Sequence, residues 1–385
     1  MKSVTSYLQD LVRIPSVSSL SNRDVIEYAH TIFAEAHWNT VVDSYVDASG
    51  TEKLNLIAAP PGQSAEEPAA DLAILCHTDT VPPAADWPEA FEPRIADGLL
   101  HGCGACDVKG FLACLFVAAT QTPTRSIRPG LRIVLTADEE VGCIGSYHLR
   151  DAEKLRPRLL LIGEPTSLHA ARAGKGYCLA ELTIFGAEAH SAHPHHGRSA
   201  IYDAARFIHS VEQFSEQLAQ ERNLFFEPPY TTINIGTIAG GTAKNVVPAE
   251  CRLLIEWRPV PRGAPARVPG GLQQILDTMT EKDRTFRYKL TILRQQNGFE
   301  TSSDATLVRA IEALTGRPSI AIPFGSEASV FASMAEQVVV FGPGDMRFAH
   351  SPRECVPLAE LDEAVHCLTA LIQAGSATTA NDVVS

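Results

Sequence analysis

The sequence contains no apolar run near the roughly 18 residues that a membrane-spanning helix needs, so it offers no candidate transmembrane segment. It also lacks a cationic excess. Its 32 basic side chains face 45 acidic ones, a formal charge of −13. That disfavours nucleic acid as a partner, because such binding relies on a basic surface that displaces counterions. The nine cysteines are odd in number and mostly sit inside apolar runs. They do not form the even, short-chain pattern of a disulfide framework, and free thiols in a reducing compartment are expected. Residues 1–19 show neither an uninterrupted apolar stretch nor a small-residue cleavage pattern, so a cytoplasmic location is expected. No Gly-x-Ser-x-Gly elbow occurs, and Gly325-Ser326 fits one poorly. The glycines at 102 and 104 lack the spacing of a dinucleotide fingerprint. Cys103-Gly104-Ala105-Cys106 has no second CxxC and reads as coincidence rather than a zinc knuckle or redox pair. There is no internal repeat.

What is present suits a folded chain of two or three domains. The 385 residues are 45% apolar and 20% charged, and 26 glycines with 25 prolines are too few for a low-complexity chain. Val4, Leu8, Leu11 and Val12 predict an N-terminal helix ended by Ile14-Pro15, with a second helix over 23–37. Short apolar runs follow at 72–76, 131–136, 159–162 and 338–341, with a crossover helix over 109–120. Runs of this kind suit strands buried on both faces in a mostly parallel sheet. From 174 to 295 the texture changes to strand 177–185, helix 199–220, strands 231–238 and 249–257, helix 272–280 and strand 285–293. That order, βαββαβ, predicts a ferredoxin-like α+β unit. Residues 262–271, rich in Pro, Gly and Arg, read as an exposed loop within it. The expected architecture is an α/β domain built from 1–173 and 296–385, interrupted by an inserted domain over 174–295.

The chemistry falls just past the strand ends. The run 72–76 delivers His77, with Asp79 two residues on. The run 131–136 leads to Asp138-Glu139-Glu140, and 159–162 leads to Gly163-Glu164-Pro165. The run 338–341 passes through Gly342-Pro343-Gly344 and reaches His350. Open α/β sheets bind ligands outside the carboxyl ends of their strands, so these residues converge on one crevice. Asp107 joins them from a Gly-rich loop before the crossover helix. Two His and three carboxylates make a mixed N/O donor set suited to zinc, with cobalt or manganese as alternatives. Asp79 reads as a support that accepts the other ring N–H of His77. Glu139 and Glu140 are adjacent and cannot point the same way. One binds metal while the other stands off as general base.

His77-Thr78-Asp79-Thr80-Val81-Pro82, Gly104-Ala105-Cys106-Asp107-Val108-Lys109-Gly110, Thr136-Ala137-Asp138-Glu139-Glu140 and Gly163-Glu164-Pro165-Thr166 together resemble the acetylornithine deacetylase / succinyl-diaminopimelate desuccinylase family. The likeness runs over nearly the whole chain. Within the family, the segments 163–168 and 342–350 are most similar to the acetylornithine branch. The resemblance implies a zinc-peptidase-like catalytic domain carrying an inserted lid and dimerisation domain, hence a homodimer. It implies two divalent metal ions, with His77 and Glu164 on one, Glu140 and His350 on the other, Asp107 bridging and Glu139 as general base. It implies hydrolysis of N2-acetyl-L-ornithine to L-ornithine and acetate, a step of arginine biosynthesis. It further implies that His190 donates to the oxyanion and reaches the partner subunit's site. Asn245 and Arg258 match lid motifs near the substrate, and Lys175 is expected at the substrate α-carboxylate. Glu327 is expected near the pocket, paired with a cationic ornithine side chain. The chain departs from the pattern at Cys106, next to the bridging position, at Ala189 in place of Gly, and in the extra His193, His195 and His196.

Two other readings remain in view. The same chemistry would serve acetylcitrulline, succinyl-diaminopimelate, another N-acyl amino acid or a dipeptide. A non-catalytic binding protein on this fold would be expected to have lost Glu139 or ligands, and all six positions are intact. The cluster of His residues at 190–196 reads as a polar loop with one functional member, His190, rather than a separate metal tract.

Overall fold

The computed structural model describes residues 2–261 and 266–373. Within those limits the chain divides into two compact units. One is built from residues up to Arg172, from Glu300–Ile320 and from Ser326 onward; the other is Ala173–Phe299 with Ala321–Gly325. Grouping Ala321–Gly325 with the second unit has no counterpart in a division into contiguous blocks. It follows from main-chain pairing, the amide of Lys175 donating to the carbonyl of Ile322 at 3.3 Å.

In the first unit the apolar runs form the centre of one sheet. Strands Leu131–Thr136, Ala69–His77, Arg156–Gly163 and Gln337–Phe341 lie side by side in that order, each parallel to its neighbour. They are buried nearly throughout, as strands covered on both faces must be. Beside Leu131–Thr136 the sheet is extended by an antiparallel hairpin, Asn39–Val46 with Glu52–Ala59. Its turn is closed by the Asp47 carboxylate, which accepts the amides of Ser49 at 2.8 Å and Thr51 at 2.9 Å.

The N-terminal helix spans Val4–Arg13, is capped by Ser3 and buries Val4, Tyr7, Leu8, Leu11 and Val12. It packs on helix Gly110–Gln121, which also meets Arg23–Glu35 and Leu358–Ile372. Gly110–Gln121 is buried from Gly110 to Ala119, which explains why its sequence shows no polar face.

In the second unit, strands Thr232–Gly240, Glu250–Arg258, Tyr177–Phe185 and Arg287–Gln296 form an antiparallel sheet in that order. Helices Ala200–Leu218 and Arg267–Lys282 share its core: Cys178, Ala180, Leu182 and Ile184 alternate inward with Cys251, Leu253, Ile255 and Trp257, against Phe207, Phe214, Leu272 and Leu276. The chain order is βαββαβ, as the sequence predicts.

The expected loop 262–271 is corrected in its second half, while 262–265 lie outside the described residues. Residues from Arg267 onward are helix. Pro269 sits in the first turn, where no intrahelical N–H is needed. Gly271 is required by packing, since a Cβ there would lie 2.2 Å from the Phe214 ring. The glycine and proline mark a close helix–helix approach rather than a loop.

Candidate metal centre

The four parallel strands end on the same side of the sheet, and their ends carry the acids and imidazoles. His77 is the last residue of Ala69–His77, and Glu164 follows Arg156–Gly163 directly. After Leu131–Thr136 the chain turns through Asp138, at φ 58°, before Glu139 and Glu140. The turn then closes onto helix Ile144–Asp151. Gly145 seats there because a Cβ would lie 2.5 Å from the Ala137 carbonyl and from Asn55 Oδ1.

Two clusters result. His77, Glu139 and Glu164 bring one ligand atom each to within 4.8 Å of one another, and so do Asp107, Glu140 and His350. Asp107 joins them: Oδ1 is 3.1 Å from His77 Nε2, and Oδ2 is 3.1 Å from His350 Nε2. His350 Nε2 is also 3.0 Å from Glu140 Oε1, and His77 Nε2 is 3.9 Å from Glu164 Oε1. The adjacent acids therefore diverge, Glu139 toward His77 and Glu140 toward His350.

The charge balance is lopsided. Burial pushes Glu139 well above the usual carboxylate range, and Glu140 and Glu327 add to this against the pull of His77. Burial likewise raises Glu164, with Asp107 the first of its repelling neighbours. Burial alone would lower His77, but hydrogen bonding to Asp107 and the nearby Asp79 hold it well above its normal value. Hydrogen bonds with Asp107 and then Glu140 push His350 up to about 10. Four carboxylates thus share two imidazoles in a mostly buried site. Divalent cations would relieve that repulsion, and the N/O donor set suits them.

The support around the clusters differs from expectation at Asp79. His77 Nδ1 is 3.0 Å from the Asp79 main-chain carbonyl, and the carboxylate is farther, at 3.6 Å. The carboxylate instead accepts the amides of Glu139 at 3.0 Å and Glu140 at 3.3 Å and the Ser18 hydroxyl at 2.7 Å. Asp79 therefore fixes the tandem-acid turn with its side chain and the imidazole with its backbone.

Four further support residues are not among those expected from the sequence. Lys53 forms a 2.8 Å ion pair with Asp138, both side chains 1% exposed, and Tyr45 donates to the other Asp138 oxygen at 2.8 Å. Asn55 Oδ1 accepts the Ala137 amide at 3.1 Å. Glu354 accepts the amides of Cys106 and Asp107. The Lys-x-Asn spacing at 53–55 and the acid four residues after His350 are the local clues. Lys53→Met leaves the buried Asp138 without its cationic partner, with Tyr45 as its remaining donor, and is expected to lower stability by about 3–5 kcal/mol in denaturant titrations.

Among the other expected site residues, Lys175 is tied to the main chain. Its Nζ donates to the carbonyls of Pro228 at 2.7 Å and Tyr230 at 2.9 Å, and it is 3% exposed. It pins a loop of the second unit rather than presenting a free cation. Glu327 lies close enough to the centre to act electrostatically on Glu139; it is fully buried, accepts the Ser146 hydroxyl at 2.6 Å, and burial pushes it up to about 7.

Arg258 is half-buried, 2.7 Å from Glu256 Oε1 and stacked 4.0 Å from the Tyr177 ring centroid. Asn245 lies beside His190, its carbonyl accepting the Ser191 amide at 3.0 Å. His190 is exposed, and its Nδ1 accepts the Ala192 amide at 3.1 Å. That bond puts the proton of the neutral ring on Nε2, leaving an N–H donor free to face a ligand. His193, His195 and His196 are exposed on the same loop, and among the described residues their ligand atoms do not converge into a metal cluster.

Residues 73–374 match the profile of peptidase family M20/M25/M40. The chain is 38% identical to an acetylornithine deacetylase of Myxococcus xanthus, over 97% of each sequence. It is 32% identical to an acetylornithine deacetylase of Pasteurella multocida, over 97% of this chain and 98% of the other. Among solved structures, a tripeptidase of Staphylococcus aureus superposes with a TM-score of 0.77 at 22% identity, covering 96% of both chains. That last likeness is one of fold.

Proposed function

The chain belongs to peptidase family M20/M25/M40, and from that premise we propose that it hydrolyses the amide of an N-acyl amino acid, N2-acetyl-L-ornithine foremost. The observation that carries this is the Asp107 carboxylate, which gives one oxygen to each imidazole between two clusters of acids. His77 and Glu164 would hold one divalent ion, Glu140 and His350 the other, with Asp107 between them. Zinc suits this mixture of imidazole and carboxylate, with cobalt or manganese as substitutes. When bound, such ions supply Lewis acidity and make water a nucleophile near neutral pH.

The side chains do the rest. Glu139, adjacent to a ligand but aimed at the other cluster, takes a proton from the attacking water and returns it to the departing amine. Its burial suits this, because a carboxylate pushed upward holds a proton more readily. His190, with Nε2–H free, is the donor for the oxyanion that develops on the acyl carbonyl, acting on the partner subunit's site of a homodimer. The products are a carboxylate, acetate for an acetyl substrate, and a free amino acid. The names of the two bacterial relatives support ornithine as the amine and, with it, a cytoplasmic step of arginine biosynthesis.

The test is a release assay with zinc- or cobalt-loaded protein across N2-acetylornithine, acetylcitrulline, acetylmethionine, succinyl-diaminopimelate and a dipeptide. Acetylornithine is expected to give the highest kcat/KM. A clear preference for another member would replace the substrate and leave the chemistry.

A further inference from the structure

Glu354 is not a ligand, yet it is tied to the ligands through the main chain. Its Oε1 accepts the amide of Cys106 at 3.0 Å and that of Asp107 at 3.1 Å, and the residue is 2% exposed. These amides lie where the helical turn Ala105–Lys109 is broken: Asp107 has φ −118° and ψ 89°, and Val108 φ −138° and ψ 21°. A backbone that leaves helical angles loses its regular intrahelical acceptors, and buried amides need others. One carboxylate oxygen serves both.

Glu354 is equally fixed at its own end. Its amide donates to the Ser351 carbonyl at 2.9 Å, and its carbonyl accepts from Gly102 at 3.3 Å. Ser351 directly follows His350. The segment that carries His350 is thus joined to the loop that carries Asp107, in addition to the 3.1 Å contact between the two ligands themselves. The peptide unit that Glu354 grips is the one from which the Asp107 side chain departs. A shift there would swing the carboxylate away from one imidazole or the other.

We propose that Glu354 is a positioning residue: it sets the direction of the Asp107 carboxylate between His77 and His350, and so governs how tightly the Asp107–Glu140–His350 cluster holds its ion. This rests on the metal-binding reading of the site. The expectation follows from a general property of metal sites, in which the groups orienting a ligand control affinity nearly as strongly as the ligand.

The experiment titrates Co2+ into metal-stripped full-length protein, read by calorimetry and by the visible absorption of the bound ion. In Glu354→Ala the second equivalent is expected to bind about 10–100-fold more weakly, with a changed absorption spectrum. Glu354→Gln, which keeps an acceptor oxygen, is expected to stay close to wild type. Leu276→Ala, a core change in the second unit, controls for general loosening. Native affinity for both equivalents in Glu354→Ala overturns the proposal, and so does an equal weakening in Leu276→Ala. Should Glu354→Ala not fold, Glu354→Asp replaces it, because its shorter arm cannot span to both amides; the same weakening is expected and native affinity again overturns. A wild-type protein that binds no Co2+ overturns the metal reading itself, a failure distinct from one confined to the Glu354 variants.

Discussion

Glu139→Gln is expected to keep both metal equivalents and to lose roughly 10²–10⁴-fold in kcat, the usual contribution of a positioned general base. The substitution preserves size and one carbonyl oxygen, and the turn that presents the residue is held by its main chain, whose amide donates to Asp79 Oδ1 at 3.0 Å. The side chain lies within ligand distance of His77 and Glu164, so the structure offers it two parts, base or ligand. Initial rates combined with metal analysis separate them. Loss of turnover with full metal content assigns the base; loss of one equivalent assigns a ligand. A fully active Glu139→Gln enzyme would remove the residue from the mechanism.

Asp107→Ala is expected to reach further, because its carboxylate touches both imidazoles. Metal content should fall from two equivalents to one or none, and affinity should drop by more than the ~10–100-fold that loss of a neighbouring support residue causes. Turnover should fall with it and not return when excess zinc is supplied. By contrast, a variant at either imidazole, His77→Ala or His350→Ala, is expected to weaken mainly its own cluster. If Asp107→Ala bound two ions at native affinity, the two clusters would be independent and the bridging role would fail.

Much of this centre is legible in the sequence because of strand burial. Leu131–Thr136 is buried at every position, so its run is uninterrupted and the acids just past it are conspicuous. The same logic points to His77 and Glu164, each placed within a residue of a strand end. The inserted unit is legible through its alternation, as in Cys251, Leu253, Ile255 and Trp257.

What stays hidden depends on contacts between distant segments. Glu354 reaches the amide of Asp107 across 247 positions, and its place four residues after His350 does not reveal that contact. Asp79 lies at the expected spacing, but its backbone carbonyl rather than its carboxylate reaches the His77 ring, a choice set by main-chain torsions. The contacts of Lys175 are equally hidden: its Nζ donates to two carbonyls more than fifty positions along the chain. The run around Gly271 fails for a third reason, since a glycine required by the Phe214 ring has the same composition as a loop.

The most direct test follows release of ornithine from N2-acetyl-L-ornithine by one preparation in two states, stripped by a chelator and then reloaded with zinc or cobalt. The stripped protein is expected to be inactive, and reloading should restore turnover as the second equivalent is added. Equal rates in the stripped and reloaded protein, or no hydrolysis of any N-acyl amino acid after reloading, would contradict a metal-dependent deacylase.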